Sequence, residues 1–136
     1  MRKTTFLLYA IIFSTLLGAT QCTSNSDKQL HQVLTRMAAN LNLSTPAVLD
    51  VHTRFDSAFV TQENIFQYHY TIAYTSNPSD LLRNQKEELI NNMKEAFTND
   101  ESLQIFKENE VTIQYVYKDT AQNIIDIITI DPETYK

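Results

Sequence analysis

Four side chains that could do chemistry alternate along residues 48–60. Asp50, His52, Arg54 and Asp56 fall on one face of that stretch, and His69 lies in the next. A carboxylate beside an imidazole can exchange a proton near neutral pH, so Asp56 and His69 can be drawn as an acid/base pair. No nucleophile motif accompanies them, and no glycine turn builds an oxyanion pocket beside them. No catalytic residue is therefore assigned. Zinc would need His52, His69 and a carboxylate with suitable geometry. The two histidines are not directly opposed in the register derived below, so no metal is assigned either. The five residues then have two readings. One is a solvated strand face whose cross-strand pairs contribute about 0.2–1 kcal/mol each. The other is a recognition patch for a protein or a small polar ligand.

A strand and a return strand must position these residues. Over residues 48–60, Leu49, Val51, Thr53, Phe55, Ser57 and Phe59 alternate with the polar set. Thr61-Gln62-Glu63-Asn64 makes a turn, and Phe66, Tyr68, Tyr70, Ile72 and Tyr74 line one face of residues 65–75. Matching the aromatic faces pairs Phe59 with Phe66, Phe55 with Tyr70, Thr53 with Ile72 and Val51 with Tyr74. The same register sets Asp56 opposite His69 and Arg54 opposite Thr71.

A second hairpin closes the chain. Val111, Ile113, Tyr115 and Tyr117 alternate with polar residues, a polar loop follows at 119–123, and residues 124–130 are apolar on both faces. A strand apolar on both faces implies a cover on each. Helical spacing marks two covering elements. Leu30, Val33, Leu34, Met37, Ala38 and Leu41 form a stripe, with Ser26 as N-cap and Gln29 completing a capping box. Asn77-Pro78 starts the second helix, with Leu82, Leu89, Ile90, Met93, Ala96 and Phe97 inward. A short helical turn around Leu103, Ile105 and Phe106 comes next. The fold expected is a single α+β domain over residues 27–136, in the order α-β-β-α-(short α)-β-β. Its sheet is four-stranded and antiparallel, with the helices packed on one face. On that plan the tyrosines form a core layer, with hydroxyls reaching the rim.

Composition excludes several classes. One glycine in 136 residues argues against phosphate-binding loops, and no nucleotide or other cofactor is implied. The formal net charge is −5, and removing residues 1–21, with Arg2 and Lys3, leaves −7. Such an acidic domain has no basic stripe for nucleic acid.

The amino terminus has a basic start, an apolar run over residues 6–17, and small or polar residues up to Cys22. Residues 1–21 thus have the form of an export signal; a retained membrane anchor is the alternative. The run is shorter than the roughly 20 residues a spanning helix needs. Cys22 is the one cysteine, so no intramolecular disulfide forms. Its setting resembles the lipobox of bacterial lipoproteins, although Gln21 departs from the small residue usual there. The resemblance implies lipidation of Cys22, a tether over residues 22–26 and membrane attachment through the acyl chains. Thr23, not being Asp, then implies the periplasmic side of the outer membrane in a Gram-negative cell.

Two stretches resemble an uncharacterised group of small exported bacterial proteins. One is Pro46-x-x-x-Asp50-x-x-Thr53-Arg54-Phe55-Asp56-Ser57, followed by Tyr68-His69-Tyr70-Thr71; the other is the run from Val111 to Asp119. The group implies a cysteine at the position of Phe97, disulfide-bonded to a second near the carboxyl terminus. Neither is present here, so Phe97 is expected to fill its position by packing against Ile128, Ile130 or their neighbours.

Three functions compete. The first is a non-enzymatic, exported protein-binding module of inhibitor or immunity type that engages another envelope protein. The second is an assembly accessory of an envelope or secretion complex. The third, disfavoured, is a small envelope hydrolase.

Overall fold

The structure is a computed structural model that describes residues 25–135. The leader and Cys22 lie outside the described residues. Helix α1 (Asn25–Asn42) precedes a two-residue strand β1 (Ala47–Val48) and the hairpin β2 (Thr53–Val60) and β3 (Phe66–Ile72). Helix α2 (Pro78–Asn99), a 3-10 turn (Glu101–Leu103) and helix α3 (Gln104–Glu108) follow. Strands β4 (Ile113–Lys118) and β5 (Ile124–Ile130) and helix α4 (Pro132–Tyr135) complete the domain. No helix among the described residues is long and apolar enough to cross a membrane.

The fold is α+β, but the sheet differs from the expected one. It has five strands in the order β1-β2-β3-β4-β5, because residues 47–48 add an edge to β2. The sheet is also mixed: β3 and β4 run parallel, while every other neighbouring pair is antiparallel. The cause is the connection. Two parallel neighbours need a long crossover, and α2 with its following turns supplies it. Both hairpins form as the alternation indicates; patterning within each could not say how they dock.

Phe66, Ile72, Ile113, Tyr117, Ile128 and Ile130 carry one face of the sheet into the core. Leu34 and Ala38 of α1 and Leu82 and Phe97 of α2 close over it. Helix α1 begins at Asn25, so Ser26 lies in its first turn and is not the cap expected. At α2 the expectation holds: Asn77 caps, its side chain accepting the Asp80 N–H, and Pro78 opens the helix. The last turn of α1 also protects the sheet. Asn42 Oδ1 accepts the Ala58 N–H at 2.7 Å, and Asn42 Nδ2 donates to the Ala58 carbonyl at 2.9 Å. One side-chain amide thereby stands in for a neighbouring strand on an otherwise open stretch of β2.

The β2–β3 register agrees with the expected one at Thr53–Ile72, Arg54–Thr71 and Phe55–Tyr70, then slips by one. An irregularity between Phe55 and Ser57 inserts Asp56, so Ser57 faces His69 and Val60 faces Phe66. Beyond it Ala58 and Val60 turn into the core, and Phe59 is exposed. The small Ala58 suits the close approach of α1; a phenylalanine facing the helix would not fit there. The long strand expected over 48–60 is likewise interrupted. Residues 49–53 fold into a turn, which leaves Leu49 and Val51 exposed and out of the β3 pairing.

Candidate functional site

The five polar candidates do not form one cluster. Asp50 closes the 49–53 turn: its Oδ1 accepts the N–H of His52 at 2.7 Å and of Thr53 at 2.9 Å. Desolvation opposes its ionisation, but these hydrogen bonds outweigh it and hold the carboxyl below its ordinary value. His52 turns to the end of β3, with Nδ1 3.1 Å from the Ala73 carbonyl. Arg54 and Asp56 do meet, Nε to Oδ1 at 2.6 Å. Asp56 Oδ2 also accepts the Thr71 hydroxyl at 2.6 Å, which ties the inserted residue back to β3. His69 points along the sheet: its Nε2 lies 3.1 Å from Gln67 Oε1, and Gln67 donates to Gln114 of β4 at 2.8 Å. Burial holds the His69 imidazole below its usual pKa, helped by Lys118 and opposed by Asp56.

This arrangement is a set of hydrogen bonds along the strand face and its adjoining turn. The proposed Asp56–His69 opposition dissolves because the inserted Asp56 shifts Ser57 into the pairing position. No group of three or more His, Cys, Asp or Glu among the described residues is placed to hold a metal ion. His52 and His69 are both committed to neighbours of their own.

Two clefts flank the 49–53 turn. On the open face a cleft of ≈ 390 Å³ is lined by Val48, Val51, His52, Arg54, Tyr74 and Gln122, among others. On the helix side a cleft of ≈ 210 Å³ is lined by Leu49, Leu82, Met93, Tyr70, Tyr115 and Tyr117, among others. Asp50 and Thr53 border both. The second cleft reaches the tyrosine layer, in which Tyr70 stacks on Tyr117 at 5.2 Å and Tyr68 on Tyr115 at 5.2 Å. Burial pushes the Tyr115 and Tyr117 hydroxyls up to about 12. At neutral pH they are neutral donors lining an apolar recess, which can orient a ligand but not supply a base.

Reading residues 48–60 as one strand missed this site. It placed Leu49 and Val51 in the sheet, whereas they stand on its rim. The usable signal was Asp50-x-x-Thr53, an acidic residue able to accept the N–H groups two and three positions on.

Solved structures share the fold. A Pseudomonas aeruginosa protein assigned as secreted superposes with a TM-score of 0.71 at 11% identity, over 83% of this chain and 98% of its own. The pilotin of the Vibrio vulnificus type 2 secretion system gives 0.59 at 10% identity, over 81% and 94%. A type II secretion system pilotin from Vibrio cholerae gives 0.54 at 9% identity, over 79% and 94%. No curated protein matches the chain significantly. A family model covers most of the domain, and through its match to residues 21–125 the chain belongs to the family described as a domain of unknown function, DUF8479.

Proposed function

We propose that this protein is a non-enzymatic accessory of a cell-envelope or secretion assembly, held at the membrane by acyl chains on Cys22 and binding another envelope protein. The observation that carries the reading is the fold shared with two secretion-system pilotins over about four-fifths of the chain. Two features of the chain support it. The polar candidates are engaged in hydrogen bonds along the strands, with no nucleophile–base pair among them. The largest concentration of exposed apolar side chains borders the clefts at 49–53, where a partner and not a substrate would be held. The assembly role is preferred to the inhibitor or immunity role, because the fold likeness lies with secretion accessories. The periplasmic side of the outer membrane, as Thr23 implies, belongs to the same proposal.

The test is envelope fractionation with labelled palmitate. The native chain should incorporate label and co-purify, after detergent extraction, with a second envelope protein. Cys22→Ser should lose the label and the membrane association. Unchanged processing and membrane association in Cys22→Ser would defeat the lipid-anchor reading. A chain that leaves the membrane alone, with no partner at any salt concentration, would defeat the accessory reading.

A further inference from the structure

The exposed apolar residues are unevenly distributed, and one end of the sheet holds most of the prominent ones. Val48 is 78% exposed, Val51 76% and Tyr74 87%, and Leu49 and Ile124 are also exposed. All five lie at the end of the sheet formed by the start of β2, the end of β3 and the β4–β5 turn. Tyr74 has φ = 53°, in the left-handed region that a bulky side chain normally avoids. Its ring lies outside the aromatic stack, so that backbone state presents the ring to solvent.

The amino terminus lies at the other end. Asn64, in the β2–β3 turn, donates to the Asp27 carbonyl at 3.3 Å, and its Oδ1 lies 2.9 Å from His31 Nδ1. Cys22 is five residues before Asp27, a reach of at most about 18 Å. The strands between the two ends span roughly 25 Å. If Cys22 carries the proposed lipid, its reach from Asp27 is shorter than the distance from the β2–β3 turn to the apolar end.

Charge narrows the occupant. Asp50 and Asp119 sit at the apolar end with their carboxylates bonded to turn N–H groups, and neither is in an ion pair with lysine or arginine; His52 lies beside Asp50, Arg54 is paired with Asp56, and Lys118 ends β4 at the same end. Asp50, Asp56 and Asp119 outnumber Arg54 and Lys118 at this end, and the acidic excess disfavours anionic headgroups. It also disfavours a second copy of this acidic chain docked through the same end, which would bring like charges together. The two clefts are separated by the 49–53 turn, and each has room for one or two side chains, while Val48, Val51 and Tyr74 stand around them as a broad rim.

We infer that the end of the sheet opposite the tether is a docking surface for a segment of a second protein that presents apolar side chains flanked by lysine or arginine. The inference rests on the accessory reading above and adds where the partner binds and what it carries. Val51 and Tyr74 supply the apolar contact, the clefts beside Asp50 take single side chains, and Asp50 and Asp119 pair with the partner's cations.

Photo-crosslinking in cells tests it with the full-length chain. A benzophenone amino acid is placed at Val51, at Tyr74 or at Glu63, the last in the β2–β3 turn near the tether. Val51 and Tyr74 should give adducts with one protein, mapping to a segment with apolar residues next to lysine or arginine; Glu63 should not. Asp50→Asn with Asp119→Asn keeps the acceptor oxygens that close both turns, yet should lower the Tyr74 adduct by at least about fivefold. Protein adducts from Glu63 alone would overturn the surface and leave the accessory reading standing. Lipid adducts from Val51 and Tyr74, adducts with a second copy, or a mapped segment without basic residues would also overturn the surface. No protein adduct from any position would overturn both readings.

Discussion

Phe97 is 1% exposed, with its ring stacked on Tyr135 at 4.5 Å and edge-on to Phe106 at 6.4 Å. Its burial is legible in the helical spacing; its ring partners are not, because Tyr135 belongs to a four-residue helix too short to leave a periodic signal. The Tyr135 hydroxyl donates to the Val111 carbonyl at 2.7 Å and fixes that ring against Phe97. Phe97→Ala should cost about 3–5 kcal/mol in urea unfolding, as truncation of a fully buried aromatic does. An unchanged midpoint would mean that the end of α2 is held by other contacts. Asp50 makes a second prediction. Its carboxyl is held below the ordinary value, so the stabilisation it gives the 49–53 turn is present above the unfolded pKa and is lost as pH falls through the folded one. The His52 and Thr53 amide protons should follow a titration whose midpoint lies below the ordinary range of an aspartate. A midpoint within or above that range would remove the turn-closing role.

At the level of elements, the two hairpins and two long helices were legible because each carries a clean period over many residues. The interruption at 49–53 and the inserted Asp56 were not. Alternation continues unbroken through both, since Val51 and Phe59 have the residue types of a core strand. Side-chain bonds that alternation does not register decide them: Asp50 closes the 49–53 turn locally, while Asn42 bonds Ala58 and Asp56 bonds Arg54 and Thr71 at the bulge. Patterning also suggested a cover on both faces of β5. The structure makes it an edge strand, with Ile124 and Ile127 exposed on the uncovered side. The register correction can be measured directly. Cysteines at Ser57 and His69, opposed in the structure, should form a disulfide readily, whereas the pair Ser57 and Tyr68 should not. Efficient bonding of the second pair would restore the uninterrupted register and remove the bulge.

At the scale of the molecule, the buried polar groups are accommodated by hydrogen bonds along the strands and turns. No buried side-chain nitrogen or oxygen among the described residues lacks a partner. Three ion pairs occur among the described residues, and each includes a substantially exposed side chain, so none contributes more than about 1 kcal/mol. The apolar core, closed by α1, α2 and the crossover between β3 and β4, supplies the stability. The surface features that remain are an acidic charge, the start of α1 beside the β2–β3 turn at one end and an apolar rim at the other. Together they fit a module that is anchored and binds, which is the central claim. The mass of the detergent-extracted native complex tests that claim most directly. The account predicts a particle containing this chain and a second envelope protein in fixed stoichiometry, reduced to the single chain by Val51→Asp. A particle of the native chain alone, with the same mass before and after that substitution, would contradict it.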